Sequence, residues 1–175
     1  PDYSAVENKI TEAKGNDNLN KDTQDKIKDI EEELQKIKDK TEPEANAKVD
    51  QPAVDALKDQ LDEILDSIAN GTATAPDYTE WDAAEGTYTA IDKTNVPDEL
   101  ITEAANLKAT IDALKADDTA NAKDDQQTIN NATTRLNEII TEINGILTEK
   151  PDYSEAEKAI QDAENIDGIS DADKA

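Results

Sequence analysis

Cysteine, histidine, methionine and phenylalanine are all missing from this 175-residue chain. Without cysteine there are no disulfides and no thiol nucleophile, so stability has to come from helix packing alone. Without histidine the commonest general base is gone, and so are zinc sites built from nitrogen and sulfur. No glycine-rich phosphate loop occurs, and no run of 18 apolar residues that would span a membrane. Initiator methionine, signal peptide and anchoring tail are also lacking, which reads as an internal piece of a longer protein. Basic residues are scarce, 18 against 43 acidic ones, for a net charge of −25. That charge repels nucleic-acid phosphates and anionic lipid, and so excludes both as direct partners.

Apolar residues are few as well, at 35% against roughly 45–50% in ordinary globular domains. The core must be a thin stripe along helices. Their regular spacing argues against the disorder that such charge would otherwise suggest.

What is present is a repeat. Pro-Asp-Tyr begins at Pro1, Pro76 and Pro151, followed each time by Ser or Thr (Ser4, Thr79, Ser154). Ala45-Asn46-Ala47-Lys48 recurs 75 residues later as Ala120-Asn121-Ala122-Lys123, and Asp50-Gln51 as Asp125-Gln126. Leu61, Ile64 and Ile68 match Leu136, Ile139 and Ile143. The expected organisation is two modules, 1–75 and 76–150, with 151–175 as the first helix of a third.

Each module reads as three helices. The first carries Tyr3, Val6, Ile10 and Ala13, a spacing that lines one helical face. Its start offers two caps, Asp2 ahead of a turn or Ser4 with Glu7 as a capping box. Gly15 is the candidate stop. The second helix carries Ile27, Ile30, Leu34 and Ile37 after Asn20 as cap. Its counterpart is offset by 77 residues, with Ala104, Leu107, Ile111 and Leu114. The third carries Val54, Leu57, Leu61, Ile64 and Ile68, then Ile129, Ala132, Leu136, Ile139 and Ile143 in the second copy. Asn70-Gly71 should end the first of these, while the second runs on past Asn144-Gly145 towards Pro151. The fold class expected is all-α: tandem antiparallel three-helix bundles arranged as an elongated rod. Thr72-Ala73-Thr74-Ala75 should give one junction some freedom. Thr148-Glu149-Lys150 makes the other shorter and stiffer.

The second module departs from the first at Glu85, which stands where Ile10 stood. A buried lone carboxylate is costly, so this helix should rotate or bend to expose it. Trp81 replaces Val6 and Tyr88 replaces Ala13. Trp81 reads first as a core filler. The functional alternative makes Trp81 and Tyr88 a partly exposed patch for a partner. Tyr3, Tyr78 and Tyr153 each open a module, and the expectation is that each ring packs at a module junction with its hydroxyl wet.

Candidate chemistry is thin. Carboxylate pairs such as Asp117-Asp118 follow from acidic composition alone, and a narrow bundle offers no sugar cleft. Asn16-Asp17-Asn18-Leu19-Asn20 and residues 165–171 suggest calcium loops. In the latter, however, Ala163 takes the first ligand place and Lys174 the last, so the motif fails. No catalytic, metal or cofactor-binding residues are assigned.

The opening Asp-Tyr-Ser/Thr, and the closing helix that runs from Asp50-Gln51-Pro52-Ala53-Val54 through Leu57 and Leu61 to Ile64, resemble FIVAR-type repeats. The looser second copy runs from Asp125-Gln126 through Ile129 and Leu136 to Ile139. Glu85 departs from the family's apolar pattern, and neither second helix opens on the aromatic often seen there. The resemblance covers both modules and the opening of the third. It implies three-helix modules of long Gram-positive surface proteins, with no catalytic residues to carry over. Such modules act as stalks, as matrix- or polysaccharide-binding repeats, or beside carbohydrate-active enzymes. The function expected is a monomeric, extracellular spacer of a cell-wall-anchored adhesin, whose partners are the adjacent repeats of its own chain. The alternatives are a binding module for a host protein or glycan, or an accessory domain of a secreted enzyme.

Overall fold

The computed structural model describes residues 1–40, 46–148 and 153–164. Among them are seven helices and no strand: α1 (Ser4–Lys14), α2 (Lys21–Lys38), α3 (Ala47–Ala69), α4 (Thr79–Ala90), α5 (Asp98–Lys115), α6 (Ala122–Thr148) and α7 (Ser154–Glu164). The chain is all-α. None of these helices is long and apolar enough to cross a membrane. The segment around Thr41–Glu44, where the second copy is two residues shorter, lies outside the described residues.

Two apolar clusters form, each from three consecutive helices. Val6, Ile10 and Ala13 of α1, Ile27, Ile30, Leu34 and Ile37 of α2, and Val54, Leu57, Leu61 and Ile64 of α3 bury one another. The second cluster joins Trp81 and Ala84 of α4, Ala104 and Ile111 of α5, and Ile129, Ala132, Leu136, Ile139, Ile140 and Ile143 of α6. These are largely the positions that the helical period picks out; Ile68, Leu107 and Leu114 are only partly buried, and Ala84 and Ile140 are buried in addition.

Polar pairs give the helix directions. Along α1 and α2 the pairs run in opposite order, Lys14 with Glu31 at 2.9 Å and Glu7 with Lys38 at 2.5 Å. Along α1 and α3 they run in the same order, Asp2 with Gln51 and Lys9 with Asp62. The helices therefore go up, down and up. In the second cluster Glu85 with Lys108 at 2.7 Å and Asp82 with Lys115 at 2.5 Å again make α4 and α5 antiparallel. Such half-exposed pairs add under about 1 kcal/mol each. They record the register that the cores impose.

Helix ends follow local chemistry. The Asn20 side chain accepts the Thr23 N–H at 3.0 Å and so caps α2. Asn70 closes α3, followed by Gly71 at φ +84°, a left-handed turn that other residues adopt only with strain. Gly145, by contrast, sits inside α6, which continues to Thr148. At α1 the choice falls on Asp2, whose Oδ1 accepts both the N–H and the hydroxyl of Ser4, at 3.0 and 2.6 Å. Gly15 does follow α1, but at φ −70°, and the Asn16 amide covers the Glu12 and Ala13 carbonyls instead.

Helix α3 packs on both α1 and α2, and α6 on both α4 and α5. Leu61 and Leu136 are accordingly among the most completely buried side chains. Truncating Leu61 to alanine should destabilise the first cluster by about 2–5 kcal/mol, because the surrounding helices cannot close the hole. Urea unfolding followed by circular dichroism measures this; a loss below about 1 kcal/mol would contradict the assigned core.

Candidate functional site

Three features outside the cores could carry function: a clasp at each cluster's opening, the contact between the clusters, and a recess beside Trp81.

The clasp explains why Asp-Gln and Pro-Asp-Tyr recur together. Gln51 Oε1 accepts the Asp2 N–H at 2.8 Å, and 75 residues on Gln126 Oε1 accepts the Asp77 N–H at 2.7 Å. Asp77 in turn holds Thr79 through its N–H and hydroxyl, at 2.9 and 2.6 Å, as Asp2 holds Ser4. The Ala-Asn-Ala-Lys segment has its own role. The N–H of Asn46 donates to Asp50 and that of Asn121 to Asp125, at 2.9 and 2.8 Å, while each asparagine side chain accepts an N–H of the first turn that follows it. This is a reciprocal cap of the capping-box kind with one residue more between the partners. Asp50 is also paired with Lys40 at 2.5 Å, although its own side chain is only 3% exposed.

The contact between the clusters is made by three segments: residues 18–22 between α1 and α2, the linker 72–75, and the 118–122 turn before α6. Asn20 N–H donates to Ala73 O at 2.9 Å, Ala75 N–H to Asn18 O at 2.7 Å, Ala122 N–H to Thr74 O at 2.7 Å and Asp22 N–H to Asp118 O at 2.9 Å. Leu19, Ala73 and Ala120 are buried in it. The linker expected to have freedom is thus bonded on both sides. The corresponding comparison with residues 149–150 lies outside the described residues.

Trp81 is 0% exposed and fills the second core, so it offers no surface to a partner. Tyr88 is half-buried, and Lys93 Nζ sits 4.3 Å above its ring. The exposed Trp81–Tyr88 patch is therefore absent. In its place lies a recess of about 240 Å³, with Tyr88, Ile101 and Ala105 around Trp81, Ala104 and Leu136. It lies between α4 and α5, where Ala104 stands in place of Ile27 and the two helices approach each other less closely than α1 and α2 do. The corresponding groove in the first cluster is lined by Lys14, Gln24, Lys28 and Glu31 beside Ile27. Glu85 escapes burial as a lone charge: α4 turns so that Ala84 faces the core, and Glu85, 25% exposed, meets Lys108.

Tyr3 and Tyr78 pack on the cores of their own clusters, each with a lysine above the ring, Lys38 at 5.6 Å and Lys115 at 5.3 Å. The Tyr78 hydroxyl is buried without a hydrogen-bond partner, against the expectation of a wet hydroxyl. Burial, with Asp125 and Asp117 nearby, pushes its pKa up. Tyr153 is 62% exposed at the start of α7, whose Ile160 is 59% exposed.

Among the described residues no three carboxylates converge as a metal site. The acids whose pKa moves are lowered by ordinary partners: Asp2 by Ser4, Asp77 by Thr79, Asp92 by Thr94, Asp117 by Thr119, Asp50 by Lys40, Asp62 by Lys58 and Glu103 by Arg135.

Comparison with known proteins finds no matching family, no similar curated protein and no similar solved structure. The functional reading rests on the chain's own geometry.

Two measurements bear on the site. Trp81 is the sole tryptophan, so its emission should be blue-shifted and weakly quenched by acrylamide in the native state; free quenching would mean that the indole is not in the core. A depressed carboxyl pKa contributes stability above the unfolded value, about 3.9 for aspartate, and loses it as pH falls through the folded value. The thermal midpoint at fixed ionic strength should therefore drop between pH 4 and pH 2. A rise over that interval would mean that relief of charge repulsion outweighs the caps and ion pairs.

Proposed function

We propose that this chain is a non-catalytic spacer: tandem three-helix modules, stacked end to end as a rod, that project a binding domain from a bacterial cell surface. The observation that carries the reading is the contact between the clusters. A spacer transmits length only if its modules cannot fold back on one another, and here the linker is held by backbone hydrogen bonds to both sides. The loop at the far end of α1 meets the turn that precedes α6, which suits head-to-tail stacking. Repetition of one joint then adds length at each step. The charge of −25 keeps neighbouring copies apart.

One observation favours the rival reading, a module that binds a host protein or glycan. The apolar recess of the second cluster replaces a polar groove in the first. It belongs to one cluster only, so it does not serve as a site shared by every repeat.

Small-angle X-ray scattering on residues 1–150 tests the spacer. The expected distance distribution has the long tail of two modules in line; a symmetric, compact profile from modules lying side by side would rule the rod out.

A further inference from the structure

We propose that the Asn20 side-chain amide is a pin that locks the two helical clusters into one stiff unit. The inference rests on the spacer reading and says which atoms make the spacer rigid. Asn20 is buried, and its groups are divided among three parts of the chain. Its Oδ1 accepts the Thr23 N–H and so caps α2. Its backbone N–H donates to Ala73 O in the linker. Its Nδ2 faces three carbonyl oxygens: Thr72 of the linker at 3.3 Å, and Thr119 and Ala120 of the turn before α6 at 3.4 Å each.

The amide is the one side chain named in these bonds that reaches both the linker and the second cluster. Two N–H groups shared among three carbonyls make individually long bonds. The bond to Ala120 O is buried and the other two are part-buried, and a buried carbonyl left without a donor is costly. The flanking backbone bonds are shorter, but each joins only two of the three segments, whereas Asn20 ties all three at once. At the start of α5 the corresponding N-cap is Pro97, which has no side-chain cap bond and no amide to donate. That cap position therefore offers no amide of the Asn20 kind.

Replacement of one functional group separates the pin from the cap. Asn20→Asp keeps the acceptor that caps α2, removes the donors and sets a carboxylate against the three carbonyls. Asn20→Ser also keeps an acceptor and loses the amide, without adding charge. Spin labels on Val49→Cys and Thr141→Cys, both exposed and on opposite clusters, can be placed cleanly because the chain has no cysteine of its own. Double electron–electron resonance should give a narrow distance distribution with Asn20 intact. Either variant should widen it at least twofold, with helical content by circular dichroism unchanged. Narrow distributions in all three proteins would overturn the pin and leave the spacer standing. A broad distribution with Asn20 intact would overturn both. If the aspartate variant fails to fold, the serine variant decides.

Discussion

The constraint on which everything else depends is the narrowness of the apolar stripe. Helices α1, α2, α3 and α6 contribute roughly one buried side chain per turn, α4 and α5 fewer, and no disulfide supplements them. A core this thin orders helix axes but has little to spare for the ends, where the backbone N–H and C=O groups of the first and last turns lack partners. The chain meets that need with short polar side chains. Asp2, Asp77, Asp92 and Asp117 each take the N–H and the hydroxyl of a Ser or Thr two residues on, and Asn20, Asn46 and Asn121 cap the helices that follow them. The abundance of Asp, Asn, Ser and Thr is in this sense structural before it is electrostatic.

Helix composition and helix ends were largely legible in the amino-acid order because both are local. Val54, Leu57, Leu61 and Ile64 recur at helical spacing, and burial follows. Asn20 precedes such a run and caps it; Gly71 follows one and turns the chain. Glu85 was legible as a problem, and its solution, rotation of α4 with Lys108 drawn in, is the kind that a lone carboxylate demands. What sequence order concealed lies at long separation. The clasp joins residues 49 apart, and the Asn20 amide reaches Ala120 across 100. Thr72-Ala73-Thr74-Ala75 has the composition of a flexible linker, and nothing local announces that its N–H and C=O groups have partners elsewhere. The Tyr78 hydroxyl was misjudged for a related reason, since its burial depends on how α4 seats between distant segments.

The two clusters also show how one pattern can be filled in two ways. In the first, β-branched and leucine side chains of similar size interlock, and α1 packs on α2. In the second, one large indole takes the place of several smaller groups. Trp81 is fully buried in one cluster with Ala84 and Ala104, and α4 approaches α5 less closely than α1 approaches α2. The recess opens beside these residues. The unpaired Trp81 Nε1 and Tyr78 Oη belong to the same exchange: large aromatic groups replace Val6 and retain Tyr3 without new polar partners for their heteroatoms. Each such orphan costs on the order of 1–3 kcal/mol, so the second cluster should be the less stable of the two.

The joint between the clusters is built almost wholly from neutral groups, and the charge of the chain makes that choice intelligible. Most cations that form ion pairs are already engaged in tying helices to one another or to their own next turn: Lys9, Lys14, Lys38, Lys108 and Lys115 across helices, and Arg135 to Glu103, Glu138 and Glu142. An acid–base joint would need further cations from a chain with 43 acids and 18 bases, and it would weaken as salt rises. Backbone N–H and C=O groups with one asparagine amide among them need neither. They are satisfied only when three separate strands of chain arrive together, which makes the joint selective for its own geometry and indifferent to ionic strength. An acidic surface and an uncharged joint are then compatible requirements, met in different places of the same chain.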